Sequence, residues 1–369
     1  MKRVELAVLY GGRSDEHEVS LQSAGSVIRN LDSRRFSLTL IGISRDGRWY
    51  LQPESLVEAV KAGEAIEGVR TAPETRVCCT PVDGLSVGGA ALELDCVFPV
   101  LHGSFGEDGT VQGLLELAGT AYVGSGVLGS ALGMDKELVK YSWIARGLPV
   151  VPFLRVTAAE LSELGRETLP DGLVERLVEH LGEHPYFVKP ACAGSSVGIH
   201  RVESIGELSD ALRDAFRFDT KALVEPSVDA REIEVAVLGN RRPRAFTPGE
   251  VIPTHTFYDY EAKYIDPDGA RLVIPAELPD STLETARKLA IEAFRASDAA
   301  GMARVDMFYD KRSEQLLLNE INTIPGFTRI SMYPRMCTHD GLAYSELLSQ
   351  LVDLALERHA ERQALNADA

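Results

Sequence analysis

The sequence predicts an α/β protein, with α+β elements, that opens with a doubly wound domain on a mostly parallel sheet. Through the first third of the chain, short β-rich runs alternate with apolar residues at helical spacing, which is the pattern of a parallel sheet covered by helices. The length of 369 residues is enough for two or three units that pack around shared cores. We therefore expect a multi-unit α/β protein.

Three strands and two helices define the predicted first domain. Residues 4–10 form a β-rich run that ends in two glycines, and residues 38–43 and 96–101 are the next strands. Each helix is predicted from apolar residues at i, i+3, i+4 and i+7, and Ser14 and Asp15 are candidate N-caps of the first. The residues with this spacing are Ala24, Val27, Ile28 and Leu31, and then Val111, Leu114, Leu115 and Ala118.

The rest of the chain predicts a small second unit and a third sheet. A glycine-rich joint over 124–133 leads to a helix over 135–146, and residues 152–225 mix helices with a strand at 186–188. Later strands are predicted at 233–238, 271–274, 303–308 and 315–319, with a helix that begins at the capping box of Ser281. Its apolar face comprises Ala286, Leu289, Ala290, Ala293 and Phe294. An amphipathic helix around 347–356 and a frayed polar tail end the chain.

Composition argues against several classes of partner. Asp plus Glu number 55 against 38 Lys plus Arg, and the net charge of −17 repels nucleic acid and anionic membranes. The five cysteines include no C-x-x-C pair, so we expect neither a zinc cluster nor a disulfide framework, and a reducing cytoplasm fits. Glu5 interrupts the N-terminal apolar run, which reads as a buried strand rather than a signal peptide. No apolar run approaches ~20 residues, so no transmembrane helix is expected.

A loop rich in small residues, KPACAGSSVG, follows the strand at 186–188. Small residues let backbone N–H groups approach phosphate oxygens, and Lys189 supplies positive charge. The loop matches neither a Walker A nor a dinucleotide-binding pattern. Two interpretations stay open, a phosphate-binding loop and a plain turn.

Oxygen-bearing side chains recur on two later segments that are predicted to be neighbouring strands. Asp306 lies in the string ARVD, and Glu320 and Asn322 lie in NEIN. Residues two apart share one face of a strand, and hard oxygen ligands of this kind suit Mg²⁺ held jointly with phosphates. The alternative is a solvated strand edge, but apolar neighbours indicate burial, where a carboxylate without a metal or partner is costly.

Three further segments are candidate substrate contacts. The turn at 322–328 carries Gly326, whose backbone N–H is either an oxyanion donor or part of a structural Pro-Gly turn. The polar-aromatic string FYDYEAKY at 257–264 reads as an exposed loop, either a lid or a surface hairpin. The loops at 11–20 and 101–109 follow strand ends, where open α/β sheets bind ligands, although Glu16 and His102 also suit helix-cap or core-edge positions.

Together, and in this order, the motifs resemble those of the D-alanine–D-alanine ligases of the ATP-grasp superfamily. The resemblance runs through nearly the whole chain, in nine strings: GG-x-S-x-E-x-EVS, LHG-x-x-GEDG-x-x-QG, GSG-x-x-x-S-A-x-x-MDK, KP…GSSVG, EIEVAVLG, FYDYEAKY, ARVD, NEINT-x-PGFT and ISMYP. It implies a three-part ATP-grasp fold, with an N-terminal domain at 1–124, a central subdomain at 125–226 and a C-terminal subdomain at 227–369. ATP would lie between the last two.

By motif position, the resemblance implies the contacts of ATP and metal. Lys136 and Lys189 would hold the phosphates under a flap around 196–198, and Lys263 would reach the terminal phosphate. The flap residues would be Ser196, Val197 and Gly198. The base and ribose contacts would be Glu225, Val228, Glu232, Phe257 and Phe308. The ligands of two Mg²⁺ ions would be Asp306, Glu320 and Asn322. Mn²⁺ is the expected substitute for Mg²⁺, and a monovalent cation is a further candidate cofactor.

The resemblance also implies how D-alanine binds. Glu16 would receive the ammonium of the first D-alanine, with His102, braced by Glu107, beside it. Arg304 and the Gly326 N–H would stabilise the tetrahedral oxyanion. The remaining implied contacts are Ser331 on the carboxylate of the second substrate and a hydrogen-bonded trio of Ser195, Tyr264 and Glu16 that ties flap and lid to the first domain.

The implied reaction is an ADP-forming peptide ligation through a D-alanyl phosphate, for peptidoglycan precursor synthesis, by a cytoplasmic homodimer. One alternative is a D-alanine–D-lactate ligase, whose members tend to lack the lid tyrosine that Tyr264 supplies. Another is a different ATP-grasp ligase or carboxylase, which would lack Glu16 and ISMYP. A non-catalytic nucleotide-binding regulator would be expected to lose Arg304 or the metal ligands. Departures from the family pattern are Cys192-Ala193, Ala230 and Arg329, the last close to the second subsite.

Overall fold

The computed structural model describes residues 2–162, 169, 172–195, 197–253, 270–328 and 330–367. Within this part the chain forms three sheets of four to six strands and one small three-stranded sheet. Each larger sheet corresponds to one unit expected from the sequence.

The first sheet has the order β3-β2-β1-β7, in which β2, β1 and β7 run parallel and β3 is an antiparallel edge. Alternate residues of β1 enter two different cores, with Leu6 and Val8 beside α1 on one face and Ala7 and Leu9 beside α3 on the other. The sheet is thus covered on both faces, which confirms the doubly wound domain. Its elements are β1 Val4–Gly11, α1 His17–Asn30, β2 Phe36–Ile43, β3 Trp49–Leu51, α2 Ser55–Lys61, β7 Cys96–Val100 and α3 Thr110–Leu117. The small sheet comprises β4 Val77–Thr80, β5 Gly84–Val87 and β6 Ala90–Ala91, after a 3-10 turn at Pro73–Thr75.

The start of α1 differs from the prediction. Its N-cap residue is Glu16, with no side-chain capping bond, rather than Ser14 or Asp15. The Ser14 hydroxyl instead donates to the His102 carbonyl at 2.6 Å. Ser14 therefore joins the two loops at the strand ends, a long-range contact that a local capping pattern does not reveal.

The glycine-rich joint is partly helical, contrary to expectation. It forms α4 Val127–Met134, and α5 Lys136–Ala145 follows, capped by the Asp135 carboxylate. A Cβ at Gly129 would lie 2.3 Å from the Asp298 carbonyl oxygen, and one at Gly133 would lie 3.0 Å from Thr323 Cγ2. These glycines allow α4 to pack closely on its neighbours rather than keeping the joint open.

The second sheet, β10-β9-β11-β8, is antiparallel. Its buried and partly buried side chains form a separate core between residues 154 and 224, in the region where a small second unit was predicted. Its elements are β8 Leu154–Thr157, α6 Ala158–Ser162, α7 Leu173–Leu181, β9 Tyr186–Pro190, β10 His200–Val202, α8 Ile205–Ala215 and β11 Lys221–Pro226.

The third sheet has the order β15-β14-β12-β16-β17, with β13 paired to β12. Helix α9 packs on it through the apolar face that was predicted. The capping-box prediction is wrong, because the helix begins at Asp280 with Pro279 as N-cap, and the fixed φ of proline suits a helix start. The elements are β12 Ala230–Gly239, β13 Arg244–Ala245, β14 Gly249–Pro253, β15 Ala270–Val273, α9 Asp280–Ala296, β16 Gly301–Asp310 and β17 Gln315–Asn322.

Two helices complete the chain, α10 Met332–His339 and α11 Tyr344–Ala367. The expected frayed tail is helical, because its side chains find partners in the first unit. The Arg358 guanidinium lies 4.4 Å from the centre of the Tyr122 ring, and Arg362 pairs with Glu116. In the described residues, no helix is long and apolar enough to cross a membrane.

The boundaries at 124/125 and 226/227 remain predictions. The second falls between β11 and β12, where the chain passes from the second sheet to the third. Helix α5, by contrast, lies in the predicted central subdomain but packs through Val139 and Trp143 into the core of the third sheet.

Candidate active site

A cleft of about 730 Å³ lies where the three units meet. The first unit contributes Glu16 and Glu107, the second contributes residues of β9 and the loop after it, and the third contributes the exposed face of β12, β16 and β17. The predicted site residues that line it are Glu16, Lys136, Lys189, Ser195, Glu225, Val228, Glu232, Arg304, Asp306, Phe308, Glu320, Asn322, Gly326 and Ser331. The cleft therefore brings together most of the site predicted from the sequence.

Two lysines lie on the wall of the cleft. The Lys136 ammonium, at the start of α5, donates to the Ala193 carbonyl at 2.7 Å and lies 3.4 Å from Glu320 Oε2. The Lys189 ammonium, near the end of β9, lies 2.6 Å from Glu225 Oε2 and donates to Asn319 Oδ1 at 3.1 Å. Both side chains are nearly buried. Two fixed ammonium groups in one cleft are suited to hold a polyanion such as a triphosphate.

Lys140 was not predicted, yet it contacts the same carboxylate. It is fully buried and its ammonium bonds to Glu225 Oε1, on the opposite side of the carboxylate from Lys189. Burial lowers the pKa of Lys140 to about 8, against the opposing effect of Glu225. Burial also raises the pKa of Glu225, but Lys140 and Lys189 outweigh it and the net shift is downward. The spacing D-K-x-x-x-K could have revealed Lys140, since residues i and i+4 share a helix face.

The other end of the cleft carries the predicted base and ribose contacts. Glu232 on β12 lies directly opposite Phe308 on β16, and the Phe308 ring centre is 5.9 Å from the Lys189 ammonium. Val228 lies in the connection between β11 and β12. The Glu225 carboxylate is held between two lysines. Any contact of Glu225 with an adenine edge would therefore be made by its backbone atoms.

The three predicted metal ligands share one face of two adjacent strands. Asp306 is directly opposite Glu320, and Asn322 is opposite Arg304. In the described part of the chain, no group of three or more His, Cys, Asp or Glu side chains is arranged to hold a metal. Two carboxylates and one amide nevertheless fit Mg²⁺, which commonly takes one or two carboxylates and completes its shell with water and phosphate oxygens.

A β-bulge shapes this face. Asp306 pairs with Glu320 but Met307 pairs with Leu318, so Asn319 is the additional residue. The bulge lets Asn319 reach Lys189 while Glu320 still lines the cleft. Sequence reasoning assigned no role to Asn319, because strict alternation along the strand would turn it away from the cleft.

Arg304 is oriented by two carboxylates. Its Nε lies 2.7 Å from Asp306 Oδ1 and 3.2 Å from Glu234 Oε2, and Glu234 is the residue opposite Asp306 on β12. Glu234 lies within the string EIEV but was not singled out from the sequence. Together these carboxylates fix the plane of the guanidinium in the cleft.

Glu16 is connected to the loop after β9. The Ser195 hydroxyl donates to Glu16 Oε1, so two members of the predicted trio are in contact. A Cβ at Gly103, where φ is +70°, would lie 2.5 Å from Glu16 Oε2, and one at Gly194 would lie 3.2 Å from the same atom. Glycine at these positions makes room for the Glu16 carboxylate between the two loops.

His102 and Glu107 do not form the contact that was expected. His102 Nδ1 lies 3.1 Å from the Ile324 carbonyl and must carry the proton, because its partner can only accept. Nε2 then accepts from Ser23, whose oxygen in turn lies 3.4 Å from the Phe327 N–H. With both ring nitrogens in use, His102 braces the loop that carries Gly326 rather than contacting Glu107 or offering a nitrogen to substrate.

Glu107 accepts from the Gly103 N–H at 2.8 Å instead. Burial raises the pKa of Glu107 to about 8, and the nearby Glu16 carboxylate adds to this effect. Burial lowers the pKa of His102. Burial thus favours the neutral form of both groups, Glu107 at the first-unit end of the cleft and His102 behind it.

Gly326 and Ser331 are close together at the same end. A Cβ at Gly326 would lie 2.7 Å from Ser331 Oγ, and that oxygen accepts from the Thr328 N–H at 3.0 Å. A side chain at position 326 would therefore displace the Ser331 hydroxyl. The turn places the two proposed substrate contacts side by side.

Several predicted residues remain untested by the structure. Ser196, Phe257, Lys263, Tyr264 and Arg329 lie outside the described residues. Of the remaining flap positions, neither Val197 nor Gly198 is among the described residues that line the cleft. A Cβ at Gly198 would lie 2.6 Å from the Phe218 ring, so this glycine serves close packing.

Comparison with known proteins agrees with this arrangement. The family model for the D-ala D-ala ligase N-terminus matches residues 5–125, and that for the D-ala D-ala ligase C-terminus matches residues 143–353. A D-alanine–D-alanine ligase of Treponema denticola is 46% identical over 360 residues, 96% of each chain.

Two solved structures are also similar. The D-alanine–D-alanine ligase of Coxiella burnetii has a TM-score of 0.83 at 37% identity and covers 100% of this chain and 98% of its own. The VanG D-Ala:D-Ser ligase of Enterococcus faecalis has a TM-score of 0.82 at 34% identity, with coverage of 96% and 100%. This chain therefore belongs to the D-alanine–D-alanine ligase family, with the ATP-grasp fold.

Proposed function

We propose that this chain joins two D-alanine molecules into D-alanyl-D-alanine at the expense of ATP, as a step towards peptidoglycan precursors. One observation carries the proposal, namely that a single cleft contains two fixed lysines, a set of hard oxygen ligands and an acidic pocket beside a glycine turn. These are the parts that phosphorylation of a carboxylate and attack by an amine require. The family and its full-length relatives support the same activity.

The phosphates of ATP are proposed to lie beside Lys136 and Lys189. Both ammonium groups are held by protein acceptors, so they would meet the triphosphate without a large loss of side-chain freedom. Asp306, Glu320 and Asn322 would hold Mg²⁺, for which Mn²⁺ could substitute. When bound, the metal would neutralise phosphoryl charge.

The first D-alanine is proposed to lie at the Glu16 end. The Glu16 carboxylate is mostly buried and is oriented by Ser195, which suits it to receive an ammonium. Glu107 beside it holds a proton at neutral pH, so the pocket offers one carboxylate rather than two. This charge matches a single substrate ammonium.

The chemistry has two steps. A carboxylate oxygen of the first D-alanine attacks the γ-phosphorus of ATP, the bond from that phosphorus to the bridging oxygen breaks, and ADP leaves. The second D-alanine, after its ammonium has lost a proton, attacks the resulting acyl carbon. The tetrahedral intermediate collapses as the carbon–oxygen bond to phosphate breaks, and the dipeptide forms.

The tetrahedral oxyanion needs donors that are already in place. Arg304, fixed by Asp306 and Glu234, and the backbone N–H of Gly326 are proposed to supply them. Ser331, within reach of the same turn, would receive the carboxylate of the second D-alanine. His102 supports the turn through Ile324.

The enzyme is further proposed to act in the cytoplasm as a homodimer. ATP is available in that compartment, and all five cysteines are free thiols without disulfides, which agrees with a reducing environment. Dependence on a monovalent cation remains a prediction to be tested by omitting potassium from the assay.

Phosphate release with ATP, Mg²⁺ and D-alanine tests the function, with the dipeptide identified by mass spectrometry. We expect release with D-alanine, negligible release with L-alanine, and loss of turnover in Glu320→Gln. Asp310→Asn is the matched control, because it removes a half-buried carboxylate at the end of the same strand as Asp306 that does not line the cleft. Equal rates with both enantiomers, or wild-type turnover of Glu320→Gln at limiting Mg²⁺, would contradict the proposal. D-serine and D-lactate in competition would show how strictly the second subsite selects D-alanine.

A further inference from the structure

We infer that Lys140 is a positioning residue for ATP, which acts through Glu225 to keep the full positive charge of Lys189 directed at the phosphates. The inference rests on the proposed function, because it assigns Lys189 to the phosphates. Lys140 itself is completely buried and does not line the cleft among the described residues. Its effect must therefore pass through the carboxylate that it contacts.

The geometry is a row of charges that alternate in sign. Lys140 contacts Glu225 Oε1, and Lys189 lies 2.6 Å from Glu225 Oε2. Lys189 and Glu225 line the cleft, and Lys189 also bonds to the bulge residue Asn319. The buried carboxylate thus has a lysine on each of its two oxygens.

The charges decide what each lysine does. Two lysines and one carboxylate leave the row with one net positive charge. Without Lys140, the Glu225 carboxylate would be balanced by Lys189 alone, and the row would be neutral where the phosphates bind. Charge acts strongly across buried, low-dielectric protein, so the cleft would attract the triphosphate less.

The same contacts also fix the direction in which the Lys189 ammonium points. Glu225 and Asn319, which also line the cleft, both accept from the Lys189 ammonium. Lys140, which also donates towards the Val151 carbonyl at 3.4 Å, holds the carboxylate in place on its far side. If Lys140 were absent, Glu225 could move towards Lys189 and draw its ammonium away from the phosphates.

A structural alternative is that Lys140 merely satisfies a buried carboxylate. The two accounts make different predictions for a double variant that combines K140M with E225Q. Lys140→Met alone leaves a neutral row, whereas the double variant leaves the single charge of Lys189 beside a neutral amide. The inference therefore expects the double variant to recover ATP binding, although it lacks both partners of the buried ion pair. A structural role instead expects both variants, once folded, to keep wild-type ATP affinity, with a melting temperature that falls in Lys140→Met and is largely restored in the double variant.

ATP affinity by calorimetry is the primary measurement, followed by steady-state kinetics. For Lys140→Met we expect the Kd and KM for ATP to rise on the order of tenfold or more, with the KM for D-alanine unchanged. The double variant should return most of the way to wild type. Arg231→Met is the control, since the partly buried Arg231 on β12 pairs with the buried Glu250 carboxylate on β14 and does not line the cleft. It should lower the melting temperature without raising the KM for ATP.

The outcomes separate the inference from the proposed function. Wild type that fails to bind ATP would overturn both. Wild type that binds ATP, together with an unchanged Kd in Lys140→Met or no recovery in the folded double variant, would overturn only the role of Lys140. If Lys140→Met does not fold, Lys140→Arg keeps the charge of the row and should keep ATP affinity within a few-fold. A large loss of affinity in a folded Lys140→Arg would contradict the charge argument.

Discussion

Glu107→Gln tests whether the cleft holds a carboxyl that keeps its proton at neutral pH. Burial, reinforced by the Glu16 carboxylate, raises the pKa of Glu107 from 4.5 to about 8. Glutamine reproduces the shape of the protonated carboxyl, and its amide oxygen can still accept from the Gly103 N–H. We therefore expect the variant to keep the fold and to lack the titration of the Glu107 carboxyl.

The sign of the effect follows from proton binding. Below the unfolded-state pKa of 4.5, both states hold the proton and the contribution of Glu107 to stability is fully present. As pH rises towards about 8, only the folded state still holds the proton, and the wild type loses about 1.4 kcal/mol per pH unit. Above the folded pKa the loss levels off, at a total on the order of a few kcal/mol. The glutamine variant does not share this loss.

Thermal melting from about pH 5 to about pH 9 measures the difference. For a chain of 369 residues, an unfolding entropy of about 2.1 cal/mol/K per residue makes 1.4 kcal/mol equivalent to roughly 2 °C. The melting temperature of Glu107→Gln minus that of wild type should therefore rise by roughly 2 °C per pH unit up to about pH 8 and then level. In a Glu16→Gln background the levelling should come at lower pH, because one cause of the raised pKa is gone. A difference that is the same at both ends of this range would refute the reasoning.

Three other substitutions probe the cleft. Arg304→Ala should lower turnover by about 10²–10³, the usual cost of an oxyanion donor, while calorimetry still detects ATP; a collapsed melting transition would instead indicate a structural ion pair. Ser23→Ala removes the hydroxyl between His102 and the Phe327 N–H, and should lower turnover about tenfold with unchanged ATP affinity. Tyr264→Phe should gain D-alanyl-D-lactate synthesis, since a tenfold shift in selectivity needs only ~1.4 kcal/mol; product ratios equal to wild type at several pH values would exclude this role.

The parts of the site that follow from strand geometry were accessible from the sequence. Asp306, Glu320 and Asn322 lie on two strands that are adjacent along the chain, so alternation and a short connection place them together. Lys140 could also have been found from its helical spacing to Lys136. In both cases a local rule with a fixed period determines which side chains share a face.

Other contacts of the site form between segments that are distant along the chain, where several partners are available to one side chain. Both Ser23 and Glu107 were available to His102, and only the folded structure shows that Ser23 and the Ile324 carbonyl take its nitrogens. The bulge at Asn319 breaks the period of two on which strand predictions rely. The helical tail is likewise a long-range effect, because Arg358 finds its partner on the first unit.

The shared core of the first and third units has a consequence for synthesis on the ribosome. One face of β1, including Leu6 and Val8, packs in the same cluster as Leu347, Leu351 and other residues of α11. The first sheet therefore cannot complete that core until the end of the chain has emerged, whereas the second unit closes its own core between residues 154 and 224 much earlier. During translation the N-terminal sheet, which is synthesised first, would be the last to complete its core. Its apolar surface would meanwhile be exposed to chaperones. On a ribosome stalled before α11 is synthesised, the second unit should be folded and the first unit should be incompletely folded.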